Sequence, residues 1–85
     1  MNISRDEQRA LHALAQGGCI HVSKDGGGRI VEVQCFNRDG FILPAFGLEL
    51  FRKLRKKRAI ASSESRPYRI TRRGLELVRP ELDNR

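Results

Sequence analysis

The chain has 85 residues, with 17 Lys and Arg against 10 Asp and Glu, a net charge of +7 and 39% hydrophobic residues. A chain this short buries only about 60% of its unfolded surface, which excludes a second domain and leaves one core of modest stability. No apolar run approaches the roughly 18 residues that cross a bilayer, and the polar start MNISRDEQ does not read as a secretory leader, so a cytoplasmic protein is expected.

The first element follows from a capping box. Ser4 and Glu7 stand three apart, so that each side chain can satisfy the other's orphan backbone N–H, and Gly17 and Gly18 supply a stop. The spacing predicts a helix over Arg5 to Gln16, with Ala10, Leu11, Leu14 and Ala15 on the core face. Arg5, Gln8, Arg9, His12 and Gln16 fall on the other side.

Two β-type runs follow, Cys19 to Lys24 and Ile30 to Phe36, separated by Asp25, Gly26, Gly27 and Gly28. They predict a hairpin. Pairing Lys24 with Arg29 sets Ile20 against Val33, Val22 against Val31 and His21 against Glu32, which gathers the apolar residues on one face. Any such odd register puts Cys19 and Cys35 on opposite faces, where no disulfide closes. Asn37, Arg38, Asp39 and Gly40 form a second turn, and Phe41 to Leu43 pair briefly or pack as linker before Pro44.

The positions of Leu48, Leu50, Phe51 and Leu54 predict a second helix over Phe46 to Arg58, ending in LRKKR, whose cations suit a helix C-terminus. Arg52, Lys53 and Lys56 project to solvent with Lys57 beside them, and Arg55 and Arg58 flank the apolar stripe. Ile60 to Ser63 and Pro67 to Thr71 form a second hairpin around Glu64, Ser65 and Arg66. Thr71 then caps a last helix, Arg72 to about Arg79, that buries Leu75 and Val78 and ends at Pro80; residues 81–85 fray.

The expected fold is therefore α+β: a winged-helix-like single domain over residues 1–85, in the order helix, β-hairpin, helix, β-hairpin (wing), helix. The likeness to a winged helix lies in the last half, where YRITRRG leads from the wing strand into the closing helix.

Catalytic chemistry finds little support. Cys19, His21, Cys35 and His12 are donor types that suit zinc, but without tight C-x-x-C pairs, and the cysteines point apart. Cys19 and His21 lack a third orienting group, and two hairpins leave little room for a pocket. The Gly26–Gly28 triplet is followed by a strand and not a helix, so it reads as a hairpin tip and not a phosphate loop. No enzyme activity, metal or cofactor is expected.

The strongest signal is the run Arg52 to Arg58, six cations in seven residues, beside a wing carrying Arg66, Arg69, Arg72 and Arg73. Such density reads equally as a solvated helix face or as a site for phosphates. The candidate partner- or nucleic-acid-binding residues are Arg52, Lys53, Lys56, Lys57, Arg66, Arg69, Arg72 and Arg73.

The segments SRDEQRALHALAQGG, GRIVEVQCFNRDGF, FRKL and PYRITRRGLELVRPELDNR together resemble the bacterial YjhX family, and the similarity runs from end to end. That family is described as proposed toxins of toxin-antitoxin pairs. Its alternative name, topoisomerase I inhibitor, implies growth arrest through protein-protein binding to DNA topoisomerase I, with a cognate antitoxin as second partner. The resemblance assigns no contact residues. The other reading, from charge and the wing, is a DNA-binding transcriptional regulator.

Overall fold

Residues 3–78 are described in the computed structural model. Three helices and two two-stranded antiparallel sheets make the α+β fold: α1 (Arg5–Ala15), β1 (Cys19–Lys24), β2 (Ile30–Phe36), α2 (Leu48–Lys56), β3 (Ile60–Ala61), β4 (Arg69–Ile70) and α3 (Arg72–Leu77).

The capping box at the start of α1 is formed. Glu7 N–H donates to Ser4 Oγ at 3.1 Å, and Ser4 N–H donates to Glu7 Oε1 at 3.0 Å. At the other end Gly17 sits at φ +114°, and the N–H groups of Gly17 and Gly18 reach back to the carbonyls of Leu14 and Ala13. This pair of bonds is a Schellman closure, which needs the left-handed turn that glycine makes cheaply. The core stripe of α1 is Glu7, Ala10, Leu11 and Leu14, at the i, i+3, i+4, i+7 spacing. Ala13 is buried and Ala15 is exposed, the reverse of the expectation for Ala15, because the helix ends there and the chain doubles back over the opposite side.

The strand boundaries of the first hairpin are as expected, but the register is two residues away. Ile20 faces Cys35, Val22 faces Val33 and His21 faces Gln34, not Glu32. The Asp25 side chain decides this. Its Oδ1 accepts from the N–H groups of Gly27 and Arg29, Asp25 N–H donates to Arg29 C=O, and Gly28 turns at φ +85°. A three-residue loop closed this way ends in a bulge, and the ladder shifts between Ser23 and Lys24. The shift leaves parity intact, so the apolar face is unchanged and Cys19 and Cys35 remain free on opposite faces. Val31 is displaced to an exposed position, and His21 packs edge-on against Phe36.

Asn37 repeats the device. Its Oδ1 accepts from Asp39 and Phe41 N–H groups, its own N–H donates to Phe41 C=O, and Gly40 turns at φ +88°. The turn lets Ile42 bridge to Phe36 and Leu43 N–H donate to Cys35 C=O, so this segment does pair briefly with β2.

Helix α2 is shorter at both ends than its hydrophobic spacing suggested. Ala45 at φ +66° and Gly47 in extended backbone delay its start, and Arg58 at φ +59° stops it. The second hairpin is also shorter. Glu64 and Ser65 both lie at positive φ and Ser62 Oγ–H donates to Arg66 C=O, so the tip closes as a compact loop and the ladder keeps two pairs.

Two main-chain bonds join the hairpins: Ile20 N–H donates to Tyr68 C=O at 2.9 Å, and Tyr68 N–H donates to Ile20 C=O at 2.8 Å. Around this bridge Leu11, Ile20, Cys35, Phe51 and Leu54 fill the centre of the core. Each such large apolar side chain contributes about 1.5–3 kcal/mol on burial. The Tyr68 ring meets Phe51 edge-on, with centroids 5.0 Å apart.

Helix α3 is seated by a glycine. Thr71 Oγ accepts from Gly74 N–H and donates to Arg58 C=O, which caps α3 and ties it to the end of α2. Gly74 lies so close to Ala59 that an added Cβ would stand 2.3 Å from the Ala59 oxygen. With Gly74 inward, its i+3 and i+4 neighbours Leu77 and Val78 pack on the core, and Leu75 turns outward against the expectation. Gln8 also departs from its expected solvent role: its side-chain amide donates to Leu77 C=O at 2.7 Å, linking α1 to α3. The expected helix end at Pro80 and the tail lie outside the described residues.

Glu7 is 3% exposed and its carboxylate binds Lys57 at the end of α2. Burial raises this carboxyl, but hydrogen bonds from Lys57 and Ser4 and the Lys57 charge outweigh that effect and hold it below the usual range. A lowered folded-state pKa gives stability above the unfolded value that is lost as pH falls through the folded one. Glu7→Gln should therefore cost about 1–3 kcal/mol at pH 7 in denaturant unfolding, with the gap to the parent protein narrowing as pH is lowered through about 4 and below.

Close approach of main chain makes a second expectation. Gly18→Ala, whose Cβ would lie 2.3 Å from Phe36 O, and Gly74→Ala should each lower stability by about 1–3 kcal/mol, read as a drop in thermal midpoint. Gly26→Ala meets open space at negative φ and should be neutral or slightly stabilising.

Candidate functional site

The eight cations singled out from the sequence do not form one patch. Arg52, Lys53 and Lys56 are exposed along α2, and Arg72 and Arg73 are exposed in the first turn of α3. Arg66 stands at the tip of the second hairpin, 3.7 Å from Glu64, in a solvent-exposed pair that holds it weakly. Lys57 is withdrawn from the surface role assigned to it, because its ammonium serves the buried Glu7. Arg69 is turned inward to α1, where its Nη1 donates to Gly17 C=O at 3.3 Å and Gly18 C=O at 3.4 Å. A cation beside helix-terminal carbonyls is favourable, so Arg69 serves the fold.

What remains gathers in concavities. One of about 480 Å³ lies where the end of α2 meets the start of α3, and its lining is wholly basic: Lys56, Lys57, Arg58 and Arg73. The left-handed turn at Arg58, held by the Thr71 hydroxyl on its carbonyl, sets the angle between the two walls. A second concavity, of about 600 Å³, opens between the tip of the first hairpin and α2. Lys24, Arg29, Arg52 and Arg55 supply its charge, and Phe51 and Tyr68 supply its aromatic surface. The Arg55 guanidinium lies 5.1 Å from the centroid of the Phe51 ring, a cation–π contact that fixes its direction.

Lys24, Arg29, Arg55 and Arg58 were not among the residues chosen from the sequence for binding. Lys24 and Arg29 flank the glycine triplet and look like ordinary hairpin cations. Only the docking of that hairpin beside α2 makes them part of a site.

The glycine triplet is a hairpin tip, with the N–H groups of Gly27, Gly28 and Arg29 all consumed by Asp25. Among the described residues no three of His, Cys, Asp and Glu come together as a metal-binding group. Cys35 is buried, and burial with the neighbouring Cys19 thiol pushes its pKa up to about 12, so it carries no thiolate at neutral pH. Among the described residues no helix is long and apolar enough to cross a membrane. A thiol-specific disulfide reagent at pH 8 should leave Cys35 unmodified in the native protein and titrate both cysteines after denaturation. Rapid native reaction of both would contradict the packing.

Relatives with the same cationic balance of features extend over the whole chain. A UPF0386 protein of Chelativorans sp. (strain BNC1) is 64% identical over 85 residues, covering all of both chains. UPF0386 proteins of Sinorhizobium fredii (strain NBRC 101917 / NGR234) and Rhizobium meliloti (strain 1021) are 64% and 61% identical over the same full length. No solved structure matches. The profile of the YjhX toxin family, described as "Putative toxin of bacterial toxin-antitoxin pair", matches residues 1–85, and the chain belongs to that family.

Proposed function

We propose that this protein is a toxin that acts by binding and not by catalysis, and that its target is DNA topoisomerase I engaged on DNA in the cytoplasm. The observation that carries the binding reading is the wholly basic concavity of Lys56, Lys57, Arg58 and Arg73, continuous with the exposed Arg52 and Lys53 of α2 and Arg72 of α3. The buried, protonated Cys35 argues against a cysteine nucleophile, and the topoisomerase follows from the family resemblance. Membership in a toxin-antitoxin family also implies a cognate antitoxin.

Electrostatics shapes the mode of binding. A protein of net charge +7 is repelled by a cationic DNA channel, so it does not inhibit as a mimic of DNA. It docks on the enzyme–DNA complex, with phosphates of the held DNA meeting the α2–α3 cations. Phosphate contacts of this kind release counterions and weaken steeply with salt.

A second reading rests on element order. The hairpin β3–β4 follows α2 and precedes α3, as a wing follows the reading helix of a winged-helix domain, and Arg52, Lys53 and Lys56 lie exposed on α2. In that case the protein reads duplex DNA by itself as a regulator.

Plasmid relaxation by topoisomerase I separates these. The protein should be captured by the enzyme–DNA complex and slow relaxation, and Lys53→Glu/Lys56→Glu/Arg73→Glu should weaken inhibition at least about tenfold at unchanged thermal stability. Absence of capture and inhibition, with a sequence-dependent duplex shift at physiological salt, would replace the inhibitor with the regulator.

A further inference from the structure

The concavity between the first hairpin and α2 lies apart from the α2–α3 cations and continues beyond Tyr68. A further depression of about 380 Å³ on the other side of that residue carries Lys24, Arg66 and the hydroxyl-bearing Ser62 and Ser65. Lys24 and Tyr68 line both, so the two adjoin across the tyrosine. Five cations, Lys24, Arg29, Arg52, Arg55 and Arg66, border this path, and neither lining includes an Asp or Glu. The nearby acids are engaged elsewhere: Asp25 accepts two main-chain N–H groups of its own loop, and Glu64 pairs with Arg66 at the exposed tip.

Tyr68 gives the path a second kind of recognition. Its main chain is fixed on both sides by Ile20, and its ring rests edge-on against the buried Phe51, so an aromatic surface is held in place between the cations. Cations spaced along a groove with an ordered aromatic between them suit a chain of phosphates that carries flat, unstacked bases. A duplex keeps its bases stacked inside and offers phosphates alone, so the tyrosine would have no partner there.

We propose that the groove running from Arg29 and Arg55, over Tyr68, to Arg66 binds single-stranded nucleic acid, with phosphates on the five cations and a base against Tyr68. This is independent of which enzyme the toxin arrests, since it rests on a different set of side chains.

Fluorescence anisotropy of the full chain with labelled twelve-residue strands tests it, using oligo-dT, oligo-rU, a duplex of equal length and a labelled mononucleotide. Either single strand should bind at least about tenfold more tightly than the duplex or the mononucleotide. Lys24→Glu/Arg29→Glu, on exposed hairpin positions, should weaken strand binding at least about tenfold and reduce the salt slope by about 1.4, as expected for two lost phosphate contacts. Tyr68→Phe should keep binding within about threefold, whereas Tyr68→Leu should lose at least about fivefold with the salt slope unchanged. Lys53→Glu/Lys56→Glu/Arg73→Glu should stay within about threefold of the parent for oligonucleotides, whatever it does to relaxation. Equal affinity for the duplex, a mononucleotide bound as tightly as a strand, or full binding by the Lys24/Arg29 variant would overturn the assignment.

Discussion

Two hydrogen bonds between the main chains of Ile20 and Tyr68 hold the molecule's two halves in register. A two-stranded hairpin is at best marginal in water by itself, and this chain has two of them. The bridge lets them share one buried layer: Ile20 is fully covered, and the adjoining Tyr68 ring is brought to Phe51 of α2. The basic tip of the first hairpin is thereby carried to the side of α2, and a groove exists where the sequence offers only scattered lysines and arginines.

The excess of positive charge does two different jobs. At the first turn of α1, Lys57 neutralises a buried carboxylate; at its last turn, Arg69 meets carbonyl groups that no helical N–H reaches. Both are internal ties that bracket the same helix. The other cations stay in solvent and congregate in concavities without acids, which is the arrangement that concentrates a positive field on a polyanion. A family of toxins from toxin-antitoxin pairs is consistent with a molecule whose surface is organised for capture.

Features set by near neighbours in sequence were legible in it. Ser4 with Glu7, the Gly17–Gly18 closure, the boundaries of β1 and β2 and the Thr71 cap each depend on residues a few positions apart. The register of the first hairpin was misjudged because two-residue slips keep the same faces, and the choice among them fell to one acceptor atom of Asp25. Asn37 builds the same turn from the same spacing to glycine, so the pattern of Asp or Asn three residues before Gly held the answer. Leu75 was misplaced because Gly74 was read as a weak helix position and not as the contact point with Ala59. The groove itself was beyond reach: Lys24, Arg29, Arg55 and Arg66 share a site only through the Ile20–Tyr68 bridge.

The pair of Glu7 and Lys57 spans 50 positions of sequence. A ribosome makes α1 first, with its carboxylate on the face that must enter the core, and delivers the matching ammonium only when α2 is complete. Sealing that face any sooner would strand a charge away from water at a cost of several kcal/mol. The nascent chain therefore keeps α1 unseated until the second helix has emerged, and since Tyr68 comes later still, the binding surfaces assemble only near the end of synthesis. A partly translated copy carries the charge of the finished protein without its shape.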